Sequence, residues 1–92
     1  MRQEVAEIGA MRALGWLVGQ DDLVEVFLGS SGASLDDLRA RAAEPEFLAS
    51  VLDFILMDDA WVLSCAEALE IRPEAVVQLR QALPGGGLPN WT

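Results

Sequence analysis

Apolar and polar positions along the chain fall into six stretches with the period of an amphipathic helix. The first runs from about Arg2 to Val18. The second starts at Asp21 or Asp22 and stops before Gly32, with Leu23, Val24, Phe27 and Leu28 on one face. Asp22 and Glu25 within it have capping-box spacing. The third is capped by Ser34 and carries Leu35, Leu38 and Ala42. The fourth begins at Pro45, a favourable first-turn residue. It shows Phe47, Leu48, Val51, Leu52 and Ile55 on one face, widened by Phe54 and Leu56. So wide a stripe predicts the central helix of a bundle. The fifth shows Trp61, Val62, Cys65 and Leu69; the sixth opens at Pro73 and shows Val76, Leu79 and Leu83. No stretch alternates with period two, so no strand is predicted. After Leu83 the run "PGGGLPNWT" ends helical structure and reads as a flexible tail over 84–92.

The stretch "VLDFILMDDAWVLSCAEAL", Val51 to Leu69, is apolar almost throughout except for Asp58 and Asp59 at its middle. A membrane span needs about 20 predominantly apolar residues, and charges at mid-span cost roughly 2.5–3.5 kcal/mol each. One unbroken buried helix is also poor, because paired aspartates favour helix starts. The stretch therefore reads as one helix ending near Met57 and a second capped by Asp58 or Asp59. The first half of the chain repeats this arrangement at an offset of 38 residues. Leu14 falls on Leu52, Trp16 on Phe54, Leu17 on Ile55, Asp21 on Asp59, Val24 on Val62 and Leu38 on Val76. The expectation is a single all-α domain over 1–83, a compact bundle of about six short helices in two similar three-helix units, roughly 4–43 and 45–83.

Composition narrows the function classes. Of 92 residues, 52% are hydrophobic, enough to drive folding of one modest core. The formal charge is −9, with six Arg, no Lys and no His. A charge that negative disfavours phosphate backbones and anionic membrane surfaces, and it can steer a basic partner. A single cysteine, Cys65, allows no intramolecular disulfide and suits a reducing cytoplasm. The N-terminus "MRQEVAEIGA" has no apolar signal-peptide core.

Candidate chemistry is sparse. Without His, Lys or Tyr the usual proton shuttles are missing. Cys65 falls on the core face of the fifth helix, one turn after Trp61, and reads as structural. The acidic pairs Asp21–Asp22 and Asp58–Asp59 could act as acid and base or hold a divalent cation, but no ligand signature surrounds them and helix capping accounts for all four. "GSSGAS" lacks the strand and the Lys of a phosphate loop, so Gly32 reads as a helix-ending glycine. "VEVFLGSSGASLDDLRARA" has the outline of a helix–turn–helix, with Arg39 and Arg41 on the second helix, but Asp36 and Asp37 stand where DNA would be met. Trp16 and Trp61 read as core; Trp91 could dock on the body or anchor in a partner's pocket.

The segments "ALGWL", "DDLVEVFLGSSGASLDDLRARAAEPEFLASVLDFILMDD" and "CAEALEIRPEAVVQLRQALPG" together resemble a short bacterial family, mainly alphaproteobacterial, known as domain of unknown function 3572. The resemblance spans roughly residues 10–86. It implies a small, helical, cytoplasmic protein and supplies no catalytic residue.

These readings converge on a non-enzymatic, cytoplasmic module, without metal or cofactor, that binds a protein partner or a second copy through an acidic surface and an apolar groove. The partner-binding candidates are Leu56, Met57 and Leu63 for apolar contact, Asp58 and Asp59 for the acidic rim, and Trp91. A helix–turn–helix regulator and a small metal-binding protein using the acidic pairs are the alternatives.

Overall fold

Each helix begins and ends where the local chemistry allows it, and the computed structural model describes this over residues 1–84. Helix α1, Gln3–Val18, stops at Gly19, whose N–H turns back to the carbonyls of Gly15 and Trp16. Helix α2, Asp21–Ser31, ends on Gly32 at φ 77°, a left-handed residue that glycine adopts without steric penalty. Helix α3, Leu35–Arg41, starts in a reciprocal capping box. The Asp37 N–H donates to Ser34 Oγ at 3.2 Å, and the Ser34 N–H donates to Asp37 Oδ2 at 2.9 Å. Helix α4, Pro45–Ile55, and helix α6, Pro73–Gln81, both open on proline at the first position, where the missing N–H costs nothing. Between them α5, Asp59–Leu69, is capped by Asp58, whose Oδ1 accepts from the Ala60 N–H at 2.8 Å.

The acidic pair in the long apolar stretch is thus a helix boundary. The earlier helix ends at Ile55, so Leu56 and Met57 lie in the turn. The first pair differs from the expectation. Gln20 occupies the N-cap of α2 without a side-chain cap, and Asp21 and Asp22 sit in the first turn. There they face the positive end of the helix dipole without capping it. Among the described residues there is no strand, and no helix is long and apolar enough to cross a membrane.

The offset of 38 carries the bounds of α2, 21 and 31, onto those of α5, 59 and 69. It carries the first residue of α3 onto the first of α6, and the left-handed Gly32 onto Glu70, the other residue with positive φ among those described, at 60°. Buried positions follow it too: Leu14 with Leu52, Leu17 with Ile55, Val24 with Val62, Phe27 with Cys65, Leu38 with Val76.

Helices α1 and α4 share the largest contact, and α5 and α6 pack on both of them; α2 packs on α1. Centrality is therefore shared. Helix α4 buries seven residues, as its wide stripe leads one to expect, but α1 touches four other helices. Two positions let α6 come close. A Cβ on Gly9 of α1 would stand 2.5 Å from Leu79 Cδ2, so glycine there lets the leucine settle in its present position. Arg80 of α6 grips Asp53 of α4 through two bonds, Nε to Oδ1 at 2.6 Å and Nη2 to Oδ2 at 3.2 Å.

Candidate surface clefts

One cleft forms where α1 ends. Trp16 lies one turn before Gly19, the chain reverses through Gly19 and Gln20, and α2 opens with Asp21 and Asp22. Helix α5 closes the other side with Trp61 and Ser64; Leu23 and Val26 complete a lining of about 520 Å³. Both tryptophans are half-buried and pack on the core with one side only. This corrects their reading as core residues. An indole ring is too large to be covered at a helix end and leaves its outer face in the cleft.

Behind Trp61 lies a row of packed rings. Trp61 stacks on Phe54 with centroids 4.8 Å apart and planes 24° apart. Phe54 meets Phe27 edge-on at 5.2 Å, and Phe27 meets Phe47 edge-on at 6.1 Å. The chain of rings ends under the Arg41 guanidinium, 4.8 Å above Phe47. The cleft lining contains two carboxylates and no arginine.

A second groove lies between the end of α1, α2 and α3, lined by Val18, Val24, Leu28, Leu35 and Leu38 with Asp21, Glu25 and Arg39 at its rim. Leu35, expected inside, is exposed here: α3 turns only Leu38 into the core. A third, smaller groove runs between α1 and α6.

The sequence-derived candidates sit elsewhere. Met57 is 76% exposed, and Leu63 and Asp59 are also exposed. Leu56 is half-buried against the core, and Asp58 is occupied in capping α5. None of these five lines the clefts described above. Trp91 lies outside the described residues. What the residue pattern missed is the pairing of Trp16 with Trp61, and the outward face of α1. The signal for the first was the offset, which sets Leu23 against Trp61, both half-buried beside the core.

The remaining chemical candidates are engaged or enclosed. Cys65 is fully buried, and burial pushes its thiol from 9.0 up to about 11. A thiol so disfavoured as thiolate is no nucleophile at neutral pH. Among the described residues no three of Cys, Asp or Glu gather as potential metal ligands. Of the arginines on the helix–turn–helix-like segment, Arg41 is bound to Glu44 at 3.0 Å and covers Phe47, while Arg39 edges the second groove.

A family model described as protein of unknown function (DUF3572) matches residues 3–86. Comparison with curated proteins and with solved structures gives no match.

Proposed function

The chain belongs to that family of unknown function, and from its surface we propose that it is a non-enzymatic, cytoplasmic protein-binding module that takes a basic, partly apolar segment of another protein in the Trp16–Trp61 cleft. The observation that carries this reading is the meeting of two half-exposed indoles with two unpaired carboxylates on a chain of charge −9. An arginine or lysine of the partner fits such a place twice over. Its charge is drawn to Asp21 and Asp22, and its flat or methylene portion lies on an indole face. Leu23 and Val26 accept a neighbouring apolar side chain. The summed acidity of the chain adds long-range attraction for a cationic segment and speeds encounter. The free, buried cysteine supports a reducing compartment.

The test is a titration with a synthetic peptide of alternating Arg and Leu, followed by tryptophan emission in a Trp91→Phe background. Trp16 and Trp61 should change emission on binding, and the affinity should fall with added salt. Asp21→Asn with Asp22→Asn should weaken binding by about fivefold or more. An unchanged emission up to millimolar peptide, or equal affinity in the double variant, rejects the cleft as the binding site.

A further inference from the structure

We infer that the outward face of α1 binds a second copy of this chain, with the two α1 helices antiparallel about a two-fold axis at Ile8. Ile8 is 59% exposed and lies on the side of α1 opposite the buried line of Ala6, Ala10, Ala13 and Leu17. Met1, Val5, Met11 and Val18 are exposed along or beside the same line. A helix whose inner face is already filled by the core thus keeps a second apolar face along its 16 residues. The groove beside it, about 260 Å³, is lined by Val5, Ile8, Arg12, Ile71 and Leu79 among others, with no carboxylate in its lining.

Charge selects a second copy as the occupant. Over residues 1–20 two arginines and two glutamates cancel, and the remaining thirteen acids and four arginines, the whole of the −9, lie beyond. Helix α1 itself therefore brings no net charge to the contact. Its charges are also placed for self-pairing, with Glu4 four residues before Ile8 and Arg12 four residues after it. In an antiparallel pair centred on Ile8, the two Ile8 side chains meet, Val5 meets Met11 of the second copy, and Glu4 meets Arg12 twice. This is the self-complementarity an isologous interface requires. Met1 falls opposite Gly15, where nothing lies within 4 Å of the place a Cβ would take. Glu4 is available: its contact with Arg2 at 3.2 Å joins two largely exposed side chains and is weak. Arg12 is held in place by donating Nη2–H to the Leu69 carbonyl at 3.0 Å, and its other donors remain for a carboxylate.

Sedimentation equilibrium of the full chain across the micromolar range tests this, and the mass should rise to that of two chains. Ile8→Asp, at an exposed position, should leave the helical circular dichroism intact and yield a monomer. Glu4→Arg and Arg12→Glu should each weaken the dimer on the order of tenfold. Mixed together, these two variants should pair with each other at wild-type strength, because each then supplies the charge the other lacks. Arg12→Lys keeps the charge while loosening the bond to Leu69, and it should dimerise as the wild type does. A monomer at all concentrations overturns the inference. So does a dimer that Ile8→Asp leaves unchanged, or a mixture of the two charge variants that associates no better than either alone.

Discussion

Helices α2 and α5 have the same bounds and α3 and α6 the same first residue, 38 positions apart, yet the two pairs have different roles. The second pair joins the core. Helix α5 buries Val62, Cys65, Ala66 and Leu69, and α6 buries Val76 and Leu79. The first pair stays at its edge, burying Val24 and Phe27 from α2 and Leu38 from α3. The difference resides in a few equivalent positions. Leu69 and Leu79 of the second pair stand where the first has Ser31 and Arg41, both exposed. A helix needs apolar residues on more than one side to pack against two neighbours at once. In the first pair Leu23, Val26, Leu28 and Leu35 are left partly or fully exposed, and they line clefts instead.

Substitution at equivalent positions sharpens this contrast, and the largest effect comes from the sixth helix. Leu79→Ala removes a buried side chain packed on Gly9 and should lower unfolding free energy by about 2–5 kcal/mol. Arg41→Ala, the same position in the first unit, loses an exposed ion pair and a ring contact, and should cost less than about 1 kcal/mol. Urea midpoints measure both. Equal losses would mean that the two pairs share the core evenly.

Phe27 and Cys65 are also equivalent, and only the second titrates. The folded thiol holds its proton more tightly than the unfolded one, with a pKa of about 11 against 9.0. Its contribution to stability is therefore complete below pH 9 and is lost as the pH rises through the window to about 11. The loss approaches roughly 2 kcal/mol at the top of that window. The chain has no Lys and no Tyr, so no other side chain titrates there. Urea midpoints between pH 8 and 11 should fall in the wild type and stay level in Cys65→Ala, though from a lower starting value.

The smallest contrast is at the helix ends. Gly32 and Glu70 both adopt left-handed backbone, with open space around Gly32. Gly32→Ala should cost about 1 kcal/mol, and Glu70→Gly should stabilise by up to about 1 kcal/mol. Thermal midpoints moving in opposite directions check this; shifts of the same sign would break the equivalence of the two turns.

Much of this architecture was legible beforehand. Pro45, Pro73, Ser34 and Gly32 mark helix ends through properties of their own backbones or side chains, so no distant partner is needed to read them. The stripe Phe47–Ile55 was legible as core because it is wide and uninterrupted. The clefts were not. Trp16 and Trp61 lie 45 residues apart in sequence, and their sharing of one cleft depends on how α5 packs on α1. The outward face of α1 was hidden for another reason. With Ala6, Ala10, Ala13 and Leu17 on one side and Val5, Ile8 and Met11 on the other, α1 is apolar around most of its circumference. Periodicity then marks no single face. Met57 and Leu63 are exposed apolar residues, but exposure alone does not place them in a cleft.

Sequence by itself determined most of the helix boundaries, because caps, prolines and left-handed turns are local, each settled within about four residues. It also determined the charge that colours the surface. Only the tertiary structure decided which apolar faces are used up and which remain. That depends on close approaches such as Leu79 over Gly9 and on the Arg80–Asp53 clasp, which join residues 70 and 27 positions apart.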